Sequence, residues 1–136
     1  MKTTLQALID SGRPVIADGA MGTMLMSLGL AQGRPPELWN VEQPDKVRRV
    51  HRGYIEAGAQ IVLTNSFGGN RYRLDMHGLG DRAAELNEAA ARLARAEADA
   101  ADHGVVVAGS IGPTGQMLQP LGLLSFDDAV AAFEEQ

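Results

Sequence analysis

The chain has 136 residues, of which 45% are apolar and 21% are charged; this is the size and composition of one globular domain and argues against a disordered chain. The formal net charge is -5 and no block of like charges occurs. The charge pattern therefore argues against a protein that binds nucleic acid or an anionic membrane electrostatically. No cysteine is present, which excludes disulfides, thiolate catalysis and thiolate metal ligands within this chain.

The secondary structure at the start of the chain is predicted from the spacing of apolar residues and from the positions of proline and glycine. The stretch TTLQALIDSG places apolar residues at helical spacing behind a threonine and ends in glycine, which predicts a short helix. It lacks the unbroken apolar core of a secretory signal, so we expect a cytoplasmic protein. Pro14 then begins PVIA, a run typical of a buried strand, and Asp18 follows within VIADGAMGTML. The next stretch, GLAQGRPPELWN, is predicted to be an irregular surface connection.

Two strands and three helices are predicted in the remainder. Pro44 opens a helix that ends before Gly58, and a second helix occupies residues 81–104. The apolar runs QIVLT (60–64) and VVVAG (105–109) are predicted strands, each followed by a turn-rich loop, and RYRLDMHGLG is predicted to be irregular. Ser125 and Asp128 match a capping box that opens a last helix, FDDAVAAFEEQ.

The order of elements predicts an α/β fold with a parallel sheet. Three strands that are apolar throughout alternate with helices, as in sheets that helices cover on both faces. Such units build either a doubly wound sheet or an arc of a (β/α)8 barrel, and both bind ligands at the carboxyl ends of their strands. The three predicted strands end in DGAMGT, TNSFGG and GSIGPTG, so we expect these loops to form one pocket.

Each of these loops also has a purely structural interpretation. Asp18 could cap the following turn or helix, and Thr64, Asn65 and Ser66 could do no more than satisfy loop amides. GSIGPTG matches neither the dinucleotide nor the P-loop pattern, so we exclude a phosphate site. The chain has three histidines, which are scattered without metal-ligand spacing, and none is a candidate catalytic base.

Four blocks taken together resemble the homocysteine S-methyltransferase family. They are DGAMGTML, PELWNVEQPDKVRRVHRGYIEAGAQIVLTNSFGGN, ELNEAAARLARAEADA and VVVAGSIGPTG, and the resemblance extends from about residue 15 to residue 133. It implies the N-terminal portion of a (β/α)8 TIM barrel, with three parallel strands and alternating helices. It also implies a zinc-dependent methyltransferase that transfers a methyl group to the homocysteine thiolate and so makes methionine.

The resemblance also implies roles for individual residues. Asp18 would accept hydrogen bonds from the homocysteine ammonium, and Gly19 would let the substrate approach the backbone. Phe67 would shield the sulfur from water. The full set of implied substrate-binding residues is Asp18, Gly19, Thr64, Asn65, Ser66, Phe67, Gly109, Ser110 and Gly112.

The resemblance covers only part of the family's domain. A (β/α)8 barrel takes about 250 residues, so we interpret residues 1–136 as a single incomplete domain. The family holds its zinc through cysteines late in the barrel, and this chain has none; we therefore expect the chain alone to be inactive. The remainder of the barrel or a second copy of the chain would be its partner. The alternative is a non-catalytic half-barrel module for binding or assembly. The methyl donor stays open: it could be betaine, methylfolate through cobalamin, S-methylmethionine or another methylated compound.

Overall fold

A computed structural model describes residues 2–136. Seven α-helices and two β-strands are found there, together with short 3-10 turns at Pro36–Leu38 and Gly80–Arg82. The helices are α1 (Leu5–Asp10), α2 (Gly22–Ser27), α3 (Trp39–Glu42), α4 (Pro44–Glu56), α5 (Arg71–Asp75), α6 (Ala83–Ala100) and α7 (Phe126–Glu135), and the strands are β1 (Ile61–Leu63) and β2 (Val106–Ala108). Among these residues, no helix combines the length and the apolar character that crossing a bilayer requires.

The sheet has two parallel strands, one fewer than predicted. β1 and β2 pair with Val62 opposite Val107. The predicted first strand forms a single parallel bridge, between Ala17 and Ile61. In a continued parallel ladder the next bond would run from the Leu63 N–H to the Asp18 carbonyl. Here the Asp18 carboxylate accepts that N–H instead, with 2.9 Å between Oδ2 and N. The side chain replaces the backbone acceptor, and the strand ends there.

Helices α4 and α6 cover one face of the sheet. Val62 and Val105 are fully buried there against Ile55 of α4 and Ala94 and Ala98 of α6. A second apolar cluster places Trp39 against α2 and α4. The small residues along α6 allow the helix to approach the strands closely, because an alanine side chain adds little bulk. This packing positions the carboxyl ends of both strands at one edge of the molecule.

The other face of the sheet is open. Ile16 is 55% exposed and Leu63 is 42% exposed, so the expectation that the strands are buried on both faces is wrong for the part of the chain that the structure describes. The apolar side chains of α1 are also exposed, with Leu5 at 48%. An apolar strand sequence indicates that both faces of the strand favour burial. It does not indicate whether the same chain or another one covers them.

Two short helices lie where irregular structure was expected, and a third was left open. α3 begins at the end of GLAQGRPPELWN and α5 lies within RYRLDMHGLG, whereas α2 begins at the last glycine of DGAMG. Asn70 caps α5, because its side chain accepts the Arg73 N–H. These helices have six residues or fewer, too few to show a clear 3.6-residue apolar period.

Ser125 is confirmed as the N-cap of the last helix, and the Asp128 carboxylate accepts its hydroxyl proton, where a full capping box would have it accept the Ser125 backbone N–H. Ser125 Oγ accepts the Asp128 N–H at 3.0 Å and donates to Asp128 Oδ2 at 2.6 Å. We expect Ser125→Ala to lower the free energy of unfolding by about 1 kcal/mol, because an N-cap acceptor is lost. Urea denaturation measures this change. Ser125→Thr keeps both the acceptor oxygen and the hydroxyl proton that Asp128 accepts, and it should retain most of the stability. Equal losses in both variants would contradict the capping role.

Candidate functional site

A cavity of about 560 Å³ lies at the carboxyl ends of the strands. Segment 16–18, β1 and β2 run parallel, so their ends meet at one edge, as the sequence predicts. The structure brings most of the predicted residues to this cavity, and the lining includes Asp18, Gly19, Thr64, Asn65, Ser66, Phe67 and Ser110. Gly109 and Gly112 do not line it.

Asp18 has one satisfied and one unsatisfied carboxylate oxygen. Its Oδ2 accepts the Leu63 N–H, whereas its Oδ1 is buried and has no hydrogen-bond partner among residues 2–136. Burial raises the pKa of the Asp18 carboxyl above its ordinary value, and the Leu63 N–H offsets this only in part. A buried acceptor without a donor costs free energy, so this oxygen is suited to a ligand that brings an N–H group.

The hydroxyls of Thr64 and Ser66 join the ends of the two strands. The Ser110 N–H donates to Thr64 Oγ1 at 3.0 Å, and Ser66 Oγ donates to the Ser110 carbonyl at 2.9 Å. The two hydroxyl oxygens lie 2.6 Å apart, so Thr64 must donate to Ser66. Both hydroxyl protons are therefore used within the protein. These residues shape the cavity wall and have no proton left to donate to a ligand.

Asn65 fixes a second wall of the cavity. Its Nδ2 donates to the Pro36 carbonyl at 2.8 Å and to Asn40 Oδ1 at 2.9 Å. The Asn40 amide in turn donates to the Asn65 carbonyl at 2.8 Å. These bonds hold the 3-10 turn Pro36–Leu38 against the loop after β1. Both amide protons of Asn65 are engaged, so its role at the cavity is to hold the wall in place.

Two of the predicted residues have packing roles that the sequence did not indicate. A Cβ on Gly112 would overlap the Phe67 carbonyl and ring, so Gly112 provides the space for Phe67. A Cβ on Gly19 would lie 3.0 Å from the Tyr54 hydroxyl oxygen, and Tyr54 donates to the Ala20 carbonyl at 2.8 Å. Gly109 has open space where a Cβ would lie.

Several charged residues of the cavity were missed in the sequence. Glu37, Arg34, Arg73 and His77 all line it. Glu37 is 5% exposed, and its Oε1 accepts the Gly68 N–H at 2.6 Å. These side chains come from connections that the sequence presents as irregular, so no periodic pattern indicated them. The cavity therefore combines the Asp18 carboxylate with two arginine side chains, which suits a zwitterionic ligand.

The described residues do not form a zinc site. Within residues 2–136, no three His, Cys, Asp or Glu side chains converge in a way that could hold a metal ion, and the sequence contains no cysteine. A protein zinc site needs at least three such ligands. We therefore derive no step through zinc from these residues.

Comparison with known proteins identifies the family of the chain. The family model described as homocysteine S-methyltransferase matches residues 15–136. Methionine synthase of Mycobacterium tuberculosis is 38% identical over 121 residues, covering 82% of this chain and 10% of that protein. Methionine synthase of Mycobacterium leprae is 38% identical over 119 residues, covering 81% of this chain and 10% of that protein.

Solved structures show a similar fold. The metallated form of the homocysteine methyltransferase MmuM from Escherichia coli superposes with a TM-score of 0.70 and 33% identity, covering 82% of this chain and 42% of that one. Its oxidized form gives the same score and identity, with 41% of that chain covered. The chain thus spans a tenth of the methionine synthases and about two fifths of the solved enzyme. The family match covers most of the sequence, and the chain belongs to the homocysteine S-methyltransferase family.

Proposed function

We propose that this cavity holds the amino-acid part of homocysteine for methyl transfer to its sulfur, which yields methionine. The observation that carries the proposal is Asp18 Oδ1, a buried acceptor without a donor among the residues described. The homocysteine ammonium supplies such a donor, and a hydrogen bond between two charged groups is stronger than one between neutral groups.

Most polar side chains at the cavity already make hydrogen bonds within the protein, and this supports the role of Asp18. The side-chain hydrogen-bond donors of Thr64, Ser66 and Asn65 are used inside the protein. Recognition of charge therefore depends on Asp18 and on the guanidinium groups of Arg34 and Arg73. In this proposal Gly112 makes room for Phe67 in the wall, and neither Gly109 nor Gly112 contacts the substrate.

We do not propose that these residues activate the homocysteine thiol. A thiol has an ordinary pKa of about 8.5 and is mostly protonated at neutral pH. The family resemblance implies zinc for this task, and these residues offer no ligand set for it. We propose that the chain supplies the first strands of the substrate pocket in a TIM barrel. In isolation it should transfer no methyl group and should not bind zinc stoichiometrically.

The open face of the sheet favours a second candidate, a half-barrel module that assembles without catalysis. Ile16 and Leu63 are exposed on that face, and exposed apolar surface of this kind promotes association. Analytical ultracentrifugation separates the two candidates. A defined dimer that does not bind homocysteine supports the module, whereas polydisperse association together with homocysteine binding supports the pocket of a larger enzyme.

Calorimetry with the 136-residue chain tests the proposed function. We expect homocysteine to bind weakly, with a dissociation constant of about 1 mM, which corresponds to about -4 kcal/mol. The analogue 4-sulfanylbutanoate has the same thiol and carboxylate but no ammonium, and it should bind at least about tenfold more weakly, because it leaves Asp18 Oδ1 unpaired. Equal affinities for the two compounds would contradict the proposed role of the ammonium.

A further inference from the structure

The loop after β1 is held from two sides at Phe67 and Gly68. On one side, Glu37 Oε1 accepts the Gly68 N–H at 2.6 Å. On the other side, the absence of a side chain at Gly112 leaves room for the Phe67 carbonyl and ring. A Cβ at Gly68 would lie only 2.9 Å from Glu37 Oε1, so the carboxylate approaches the loop backbone as closely as a glycine allows.

Glu37 is itself held in a fixed position. It lies in the 3-10 turn Pro36–Leu38, and the Asn65 amide donates to the Pro36 carbonyl. The side chain is 5% exposed, so water competes little for its hydrogen bond to Gly68. A hydrogen bond between a backbone N–H and a buried carboxylate is stronger than one between neutral groups.

Phe67 depends on this backbone contact because its side chain is not fixed by burial. The residue is 61% exposed and lines the cavity. An exposed ring gains little packing energy, so its position follows from the backbone that carries it. Two of the contacts that hold that backbone are the Gly68 hydrogen bond to Glu37 and the close approach of Gly112.

We propose that Glu37 is a positioning residue of the cavity, which holds Phe67 against the bound substrate through the Gly68 N–H. This inference rests on the proposed function, because it assigns to Phe67 an apolar contact with the homocysteine side chain. Glu37 acts on the ligand through the loop and does not touch it.

Amide hydrogen exchange of Gly68, followed by NMR, tests the contact without any ligand. The Gly68 amide should be protected in the parent chain and in Glu37→Gln, because the glutamine carbonyl oxygen can still accept the bond. In Glu37→Ala we expect exchange about tenfold faster or more. Gly68→Ala keeps Glu37 and crowds its Oε1, so it provides a second variant if Glu37→Ala does not fold. An unprotected Gly68 amide in the parent would overturn the proposal.

A double-mutant cycle tests the action through Phe67. Glu37→Ala should weaken homocysteine binding about tenfold in the parent chain and have no effect in a Phe67→Ala background. Glu37→Gln should restore the parent affinity. Additive losses, or a loss in Glu37→Gln equal to that in Glu37→Ala, would overturn the proposal. If the parent binds no homocysteine, the proposed function fails, and the exchange of Gly68 still decides whether Glu37 fixes the loop.

Discussion

Replacing Asp18 by asparagine should weaken homocysteine binding by about 10- to 100-fold, the largest effect that we expect of any side chain at the cavity. The change removes a charge-assisted hydrogen bond of about 1.5–3 kcal/mol to the substrate ammonium. The asparagine oxygen can still accept the Leu63 N–H that Asp18 Oδ2 accepts. Its NH₂ group would then lie where the unpaired Oδ1 lies and would present a donor to another donor. Calorimetry of the 136-residue chain measures the affinity.

Two controls separate substrate recognition from folding. Asp81 has a fully exposed side chain and does not line the cavity, so Asp81→Asn should leave the affinity unchanged. Binding of 4-sulfanylbutanoate, which has no ammonium, should be equal in the parent and in Asp18→Asn. A variant that unfolds like the parent in urea and binds homocysteine equally well would contradict the role of Asp18.

The free energy of unfolding should fall by about 3 kcal/mol as the pH decreases from about 6.5 to about 4, because of His51. His51 lies on α4 and is fully buried, and neither of its ring nitrogens has a hydrogen-bond partner among residues 2–136. Burial lowers its pKa to about 4, although the nearby Glu97 carboxylate acts in the opposite direction. Between these pH values the unfolded chain binds a proton that the folded chain does not, so acid favours unfolding.

The charged groups around His51 are on α4 and α6. Arg48 and Arg52 donate to Glu97, with Nε to carboxylate distances of 2.6 and 2.9 Å. Burial alone would raise the pKa of Glu97, but these two arginines outweigh it and hold that pKa below its ordinary value. Glu97 therefore also stabilises the fold above its ordinary pKa of about 4.5, and this contribution is lost at lower pH.

A histidine variant isolates the contribution of His51. His51→Leu removes the titrating ring and both unpartnered nitrogens, so the variant should lose about 3 kcal/mol less than the parent between about pH 6.5 and about pH 4. Urea denaturation at several pH values measures both proteins. The loss that remains in the variant reports Glu97 and the other carboxylates. If the free energy of unfolding has the same pH dependence in the parent and in the variant, His51 does not control acid stability.

The long elements could be predicted because one physical pattern determines each of them. α4 and α6 have apolar faces at helical spacing, and Val47, Val50 and Leu86 are buried as that spacing predicts. β1 and β2 are apolar runs bounded by turn residues. The strand predicted at residues 14–17 forms only one parallel bridge, at Ala17, and pairing stops after it because the Asp18 side chain takes the place of a backbone acceptor. A side-chain acceptor that replaces a backbone acceptor for a distant segment leaves no periodic pattern in the sequence.

The candidate site could be predicted only in part for a related reason. Asp18, Thr64 and Ser110 follow apolar runs directly, so the parallel arrangement places them at one edge. Glu37 lies in a proline-rich connection, and only the folded chain brings it to Gly68. Gly112 was assigned to the pocket wall, whereas the structure shows that it makes room for Phe67. Contacts between separate loops depend on tertiary packing. No local pattern in the sequence indicates them.

The pKa of the Asp18 carboxyl, measured by ¹³C NMR with and without homocysteine, tests the central claim most directly. In the free chain burial holds this pKa above its ordinary value. A substrate ammonium at Oδ1 stabilises the charged carboxylate, so saturating homocysteine should lower the pKa by about one unit or more. The 4-sulfanylbutanoate complex should show no such decrease. Homocysteine that binds the chain while the Asp18 titration stays unchanged would contradict the account.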